Sequence, residues 1–316
     1  MSHSGSTLLD VSGNGRNATL TGLTDGSFAD AGGDAVLRFR ADGYAALPQG
    51  LVTASDNDFT VEYTVSTQTS ANHFGWVIGD GVGPWNTTQL GNHIFLSPRS
   101  AQGGYTDQVL SAIRVKSGND NGETRLPAGG GLNPGFTTLT MVGSGNTLTL
   151  YRDGAVISTL THNRAMSSII PSGAVLGYLG RSLYQGDPLL RADVSDVKFW
   201  DVALSSGEVS ASMPTADQKK ATTAALLRGD VLAQMLGANS ALASVASNLT
   251  LPATVNGVGL TWSSSAPSVV STAGAVSRAI STDTAVTLTA ATSFGSTLPF
   301  DVTVVAPSVS SDLDAI

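Results

Sequence analysis

A chain of 316 residues is long for one domain and comfortable for two. Its net charge of −8 and its 13% of charged residues, with no basic stripe, exclude nucleic acid as a partner. No run of about 18 apolar residues is present to insert into a membrane, and the lack of Cys removes disulfides, thiol nucleophiles and Cys-based zinc sites together.

The remaining composition points to strands. Gly is abundant at 36, while Glu occurs only as Glu62, Glu123 and Glu208. Strong helix formers are therefore scarce, and short strands joined by turns are expected. The opening MSHSGSTLLD lacks the apolar core of a signal peptide. MSHSG reads as a cut site, and the chain as part of something longer.

In chain order, DVSGNGRNATLTG (residues 10–22) is turn chemistry, with Gly13, Asn14 and Gly15 supplying positive-φ positions. AVLRF (35–39) and YAAL (44–47) form a hairpin about residues 41–43. FTVEYTVS (59–66) alternates, with Phe59, Val61, Tyr63 and Val65 on one face and Thr60, Glu62 and Thr64 on the other, so Glu62 is expected on an exposed face. A strand at 76–78 leads into an irregular stretch, 79–91, which carries Trp85. Strands follow at 93–96 and 109–116, then a Gly-rich loop at 119–135. Residues 136–142, 147–152 and 156–160 form a meander, and 175–180 and 192–200 close the set. About a dozen strands without intervening helices mean a two-sheet sandwich or jelly roll.

The texture changes after Pro214. Thr215 and Gln218 have capping-box spacing ahead of a helical pattern that Gly229 and Asp230 break into two short helices, read as a semi-rigid spacer over 207–239 packed on one neighbour. From residue 240, six or seven short strands with Trp262 at mid-strand read as a small Ig-like sandwich ending at 306, with a linker tail at 307–316. The fold class expected is all-β: a concanavalin-like jelly roll over residues 1–206, a helical linker and an Ig-like sandwich.

Several stretches carry a family resemblance. DVSGNGRNATLTG, ADGYAALPQGL, DFTVEYTV, LYRDGAVI and YLGRSLYQGDPLLRADVSDVKFWDVALSSGEV resemble the laminin-G-type, concanavalin-like domains found beside bacterial glycoside hydrolases. In such domains a strand usually precedes the DxSGNG turn; here only MSHSGSTLL does. LTLP, WSSS, APSVV and AVTLTA resemble the atrophied bacterial Ig-like domain. The pair implies an accessory region of a secreted or cell-surface bacterial glycoside hydrolase of arabinanase or arabinofuranosidase type. It would be monomeric, with its catalytic domain outside this chain and a plant-type, arabinose-containing polysaccharide as substrate.

The residues themselves offer no catalytic set. The Glu-x-Asp-x-x-Glu strand of jelly-roll hydrolases is absent, and no His lies near a nucleophile elbow. Carbohydrate binding fits better, because sugar C–H faces stack on aromatics while hydroxyls pair with Asn, Asp and His. The candidates are Trp85, with Asn86 beside it, Asn92, His93, Tyr105, Tyr184 and Asp187. The resemblance also implies one structural Ca2+. Asp196, on a face shared with Val194 and Trp200, is the first candidate ligand, followed by Asp42 and Asp10. The alternative to a glycan-binding spacer is a structural or adhesive cell-surface region that binds no glycan.

Overall fold

The computed structural model describes residues 1–52, 57–79, 92–115, 122–163, 169, 176–184 and 186–307. They divide into two compact units, Met1–Thr222 and Thr223–Ile316. The first unit contains β1 (His3–Ser4), β2 (Thr7–Leu8), β3 (Ala18–Thr21), β4 (Phe28–Asp30), β5 (Ala35–Arg40), β6 (Tyr44–Ala46), β7 (Phe59–Ser66), β8 (Trp76–Gly79) and β9 (His93–Ser97). It continues with β10 (Val109–Arg114), β11 (Glu123–Ala128), β12 (Thr137–Ser144), β13 (Thr147–Arg152), β14 (Ala155–Thr161), β15 (Leu176–Leu179), β16 (Arg191–Trp200) and helix α1 (Ser206–Ser212). Helix α2 (Ala216–Met235) crosses the division. The second unit adds β17 (Thr254–Val255), β18 (Val258–Ser264), β19 (Thr284–Thr292) and β20 (Thr297–Val304).

Two antiparallel sheets make the first unit. One has the order β1-β2-β3-β6-β15-β8-β9-β10-β11, the other β14-β13-β12-β7-β16-β5-β4. The non-sequential neighbours are those of a jelly roll. The core lies between the sheets. Trp76, Ile78, Ile94, Leu96 and Ile113 come from the first sheet, and Phe59, Val61, Tyr63, Val65, Leu139 and Met141 from the second. Period-2 alternation in β7 therefore reads correctly.

Several expectations need correction. Strands β5 and β6 are not a hairpin, since they lie in different sheets. The opening residues belong to the fold: β1 and β2 form the edge of the nine-stranded sheet, His3 stacks on Phe28 at 3.7 Å, and its ring meets Asp25 at 3.1 Å. Residues 119–135 are not all loop, because β11 pairs along β10. Pro127 masks the strand in sequence, yet the position suits it, since β11 is a sheet edge where a missing N–H is tolerated. Glu62 is buried, not exposed. Its face of β7 lies under α1, where Lys198 Nζ donates to Oε1 at 2.7 Å and Ser212 Oγ to Oε2 at 2.6 Å.

A further correction concerns Asp196. The pairing of β16 with β7 runs Val194 to Val65 and then Asp196 to Thr64, leaving Ser195 as a bulge. The bulge inverts the alternation. Val197 and Phe199 then pack against the core, and Asp196 shares the outer face with Lys198, not the face of Val194. Its Oδ2 lies 2.8 Å from Lys198 Nζ.

The helical region differs too. Gly229 and Asp230 do not interrupt α2, which is continuous over 20 residues. Its C-terminal part packs on one neighbour, as expected, since Leu227, Val231 and Met235 belong to the core of the second unit. The expected capping box is present: Thr215 N donates to Gln218 Oε1 at 2.8 Å, and Gln218 N to Thr215 Oγ1 at 3.2 Å. Replacing Thr215 by Ala should cost about 1 kcal/mol, read as a lower denaturation midpoint; an unchanged midpoint would show the cap to be idle.

In the second unit, β17-β18-β19-β20 form one sheet, and Val245–Val304 and Val270–Val276 add isolated bridges. This is fewer full strands than the sequence suggests. Trp262 is half-buried at the edge of the core, donating to Pro252 O at 2.9 Å, while the fully buried aromatic is Phe300.

Candidate functional site

The nine-stranded sheet has a second face, and its register builds a site there. Side chains on one face of paired strands fall into transverse rows. One row is His93, Arg114, Glu123; the next is Tyr178, Val77, Phe95, Ala112, Arg125; a third joins Ser97 to Leu110. Phe74, Val77, Phe95, Leu110, Ala112 and Leu183 form a small apolar cluster on this face, separate from the main core, with Tyr105, Tyr178 and Tyr184 against it.

Two connections rise over the rows. The segment before β8 brings His73 and Phe74, with Phe74 stacked on Phe95 at 3.8 Å and 2° between planes. The segment after β15 is closed at its base by Leu190 N donating to Gly180 O at 2.9 Å. Within it, Ser182 Oγ donates to Asp187 Oδ2 at 2.6 Å and accepts from Tyr184 N at 3.0 Å. These bonds hold Tyr184 edge-on to Phe74 and His93, at 6.1 and 5.7 Å.

Between the connections lies a cleft of about 140 Å³, with His73, Phe74, Phe95, Glu123, Tyr184 and Asp187 among its walls. Its size compares with an apolar cavity of about 150 Å³ that takes a benzene molecule, so the cleft suits one ring. Both ring nitrogens of His73 and the hydroxyl of Ser97, which also lines the cleft, have no hydrogen-bond partner among the described residues. His73 is 1% exposed and Ser97 3%. A buried polar group without a partner costs free energy, so such groups call for a ligand or water.

Glu123 organises the charges. The Tyr184 hydroxyl donates to Oε1, Arg125 Nε lies 3.0 Å from Oε2, and His93 Nε2 lies 3.6 Å from Oε1. Burial alone would raise this carboxyl, but the His93, Tyr184 and Arg125 contacts outweigh it and hold the pKa at about 2. Burial, reinforced by the Glu123 charge, pushes the Tyr184 phenol upward. Asp187 is raised mainly by burial, against the hydrogen bond from Ser182. Burial lowers His73 to about 4, so its imidazole is neutral at pH 7, with one nitrogen a donor and the other an acceptor.

The sequence candidates separate clearly. Tyr184 and Asp187 line the cleft, and His93 stands behind it on Glu123. Tyr105 flanks it, with the Arg125 guanidinium 5.3 Å from its ring centre. Asn92 is half-buried just before β9 and does not line the cleft. Trp85 and Asn86 lie outside the described residues. Sequence reasoning missed Glu123, Arg125, His73, Phe74 and Phe95. The available signal was Glu-Thr-Arg at 123–125, an alternation that puts two opposite charges on one strand face.

The calcium candidates do not come together. Asp196 is paired with Lys198. Asp10 accepts from Ser12 N and Arg16 N at 2.8 and 2.9 Å, and Asp42 accepts from Arg40 N at 3.2 Å, each within its own turn. Among the described residues no three His, Asp or Glu side chains converge on a common point. These three carboxylates do not fit a shared cation.

The family model for the concanavalin A-like lectin/glucanases superfamily matches residues 39–210. The chain belongs to that superfamily. A second model, the atrophied bacterial Ig domain, matches residues 213–307 of this lectin-like chain and so takes in α2. The chain is similar to domain 4 of AbnA, a GH43 extracellular arabinanase from Geobacillus stearothermophilus solved with arabinotriose. The identity is 16% over 63% of this chain and 90% of that one, with a TM-score of 0.48. It is also similar to the CBM40 of the Ruminococcus gnavus IT-sialidase, at 18% identity over 50% and 83%, TM-score 0.39. A third similar structure is the SAP-like pentraxin of Limulus polyphemus, at 14% identity over 49% and 68%, TM-score 0.34. No curated protein matches the sequence. Among the described residues no helix is long and apolar enough to cross a membrane.

Proposed function

We propose that this chain is the non-catalytic carbohydrate-binding and spacer region of a secreted bacterial glycoside hydrolase, and that the cleft beside Phe95 holds one sugar ring of a plant-type, arabinose-containing polysaccharide. One observation carries the reading: a ring-sized cleft of a lectin-superfamily sandwich presents the unpartnered polar atoms of His73 and Ser97 next to the Phe74–Phe95 stack. A sugar has the matching chemistry, with hydroxyls that donate and accept and C–H faces that stack on aromatics. Glu123 supports binding over catalysis. Three neighbours hold it ionised, which suits an acceptor for hydroxyl donors and does not suit a proton donor to a leaving group. Tethered to a hydrolase, such a site raises the local concentration of substrate.

The test is calorimetric titration of the full chain with arabino-, xylo-, galacto- and gluco-oligosaccharides. At least one should bind, and His73→Ala should weaken it about ten-fold, the equivalent of one lost hydrogen bond of roughly 1.4 kcal/mol. An intact fold that binds none of the panel would favour the structural or adhesive reading.

A further inference from the structure

The same sheet face continues past the cleft to a second, differently built group. Tyr178, on β15, shares a row with Val77 and Phe95. Two strand spacings separate it from Phe95, about 9–10 Å. Tyr44, on the neighbouring β6, meets Tyr178 edge-on with ring centres 5.4 Å apart. Over both rings lies the guanidinium of Arg181, at 4.7 Å from Tyr44 and 5.0 Å from Tyr178. Arg181 immediately precedes Ser182, which positions the cleft's tyrosine.

Arg181 differs from the other half-buried arginines. Arg38 faces Asp193, Arg99 faces Asp107 and Arg125 faces Glu123. Arg152 and Arg278 donate to backbone carbonyls. For Arg181 the described residues offer two aromatic rings and no acceptor within hydrogen-bond or ion-pair distance. Stacking removes side-chain freedom and part of the hydration of the guanidinium while leaving its N–H edge open, the arrangement that suits a planar two-oxygen anion. In a chain of net charge −8, a pre-oriented cation without an internal carboxylate marks where an external one can be held.

We propose that Arg181, clamped by Tyr44 and Tyr178, binds the carboxylate of an acidic sugar, so that the glycan recognised here places a neutral ring in the cleft and a carboxylated unit further along the sheet. This rests on the cleft being a sugar site. The carboxylate has two chemical sources, a hexuronate or a sialic acid, and separate arms distinguish them.

The full chain is titrated with three matched oligosaccharides: one neutral, one ending in a hexuronate and one ending in a sialic acid. One acidic arm should bind about ten-fold tighter than the neutral one at low salt, with the advantage shrinking as ionic strength rises. Arg181→Gln should bring the ratio of acidic to neutral affinity close to one, and Arg181→Lys should recover only part, because an ammonium cannot make the paired contact. Equal binding of all three by the native chain overturns the proposal and leaves the cleft reading intact. An acidic preference that survives Arg181→Gln overturns the assignment to this residue. Loss of all three arms from the native chain overturns the sugar-site reading and this extension of it together.

Discussion

Replacing Lys198 by Met is expected to destabilise the first unit by about 3 kcal/mol, near the lower end of what breaking a buried pair costs. The reason is the asymmetry of the pair. Among the described residues Glu62, fully buried beneath α1, accepts from Lys198 and Ser212 only, whereas the Lys198 side chain remains one-third exposed and holds Asp196 and the Ser212 carbonyl as well. Burial lowers the Lys198 pKa, and Asp196 and Glu62 together more than reverse this, so the net shift is upward. Removing the lysine strands a carboxylate with one hydroxyl for company. Removing the glutamate leaves a lysine with two partners and access to water. Lys198→Met should therefore be the worse single change and Glu62→Gln the milder. The double variant should recover much of the loss, because a neutral amide can still accept from Ser212. For a unit of this size the first change is a drop of roughly 10 °C in melting temperature. Thermal unfolding of the three variants decides it: the reverse order of severity would place the strain on the lysine side.

His73 should make the first unit sensitive to acid well above the range of its carboxylates. Burial depresses this imidazole from 6.5 to about 4 in the folded chain. Between those values the unfolded chain takes up the proton and the folded one does not, so stability rises with pH across the interval. The contribution is complete above pH 6.5 and is lost progressively as pH falls toward 4, by about 3 kcal/mol at 1.36 kcal/mol per unit. Glu123 acts in a lower window. Its pKa falls from 4.5 to about 2 on folding, so its contribution is complete above 4.5 and disappears as pH drops toward 2. Denaturant midpoints measured from pH 7 to pH 4 should decline in the native chain and stay nearly level in His73→Gln. Parallel curves would remove His73 as the cause.

The fold was legible because its signals are local. Alternation in FTVEYTVS, the Gly-rich turns and the Thr215–Gln218 cap all act over a few residues, and each reappears as expected. The cleft was legible only in part, because it depends on register. Nothing near Glu123 in sequence announces that β10 will set it in a row with Arg114 and His93, or that a connection some sixty residues later will bring Tyr184 onto its carboxylate. His73 precedes a strand, and only the folding of its segment over Phe95 turns it into a cleft wall. The fate of Glu62 was hidden for the same reason, since the helix that covers it lies about 150 residues away.

The single unpaired residue in β16 has a consequence for how length and chemistry are linked in this strand. With Ser195 present, residues 191–194 obey one inside–outside parity and residues 196–200 the opposite one, and each half carries side chains suited to its own parity. The strand is thus written in two frames joined by a one-residue splice. Deleting Ser195 would leave Val194 opposite Val65 and Asp196 opposite Thr64, so every side chain would keep its face and the ladder would become regular; pairing Ser195 as an ordinary strand residue would instead turn Asp196 and Lys198 inward and Val197 and Phe199 outward. A relative one residue shorter here can keep both the sheet and the residue pattern, whereas one of the same length without the bulge can keep the sheet only by exchanging polar and apolar identities along the whole second half.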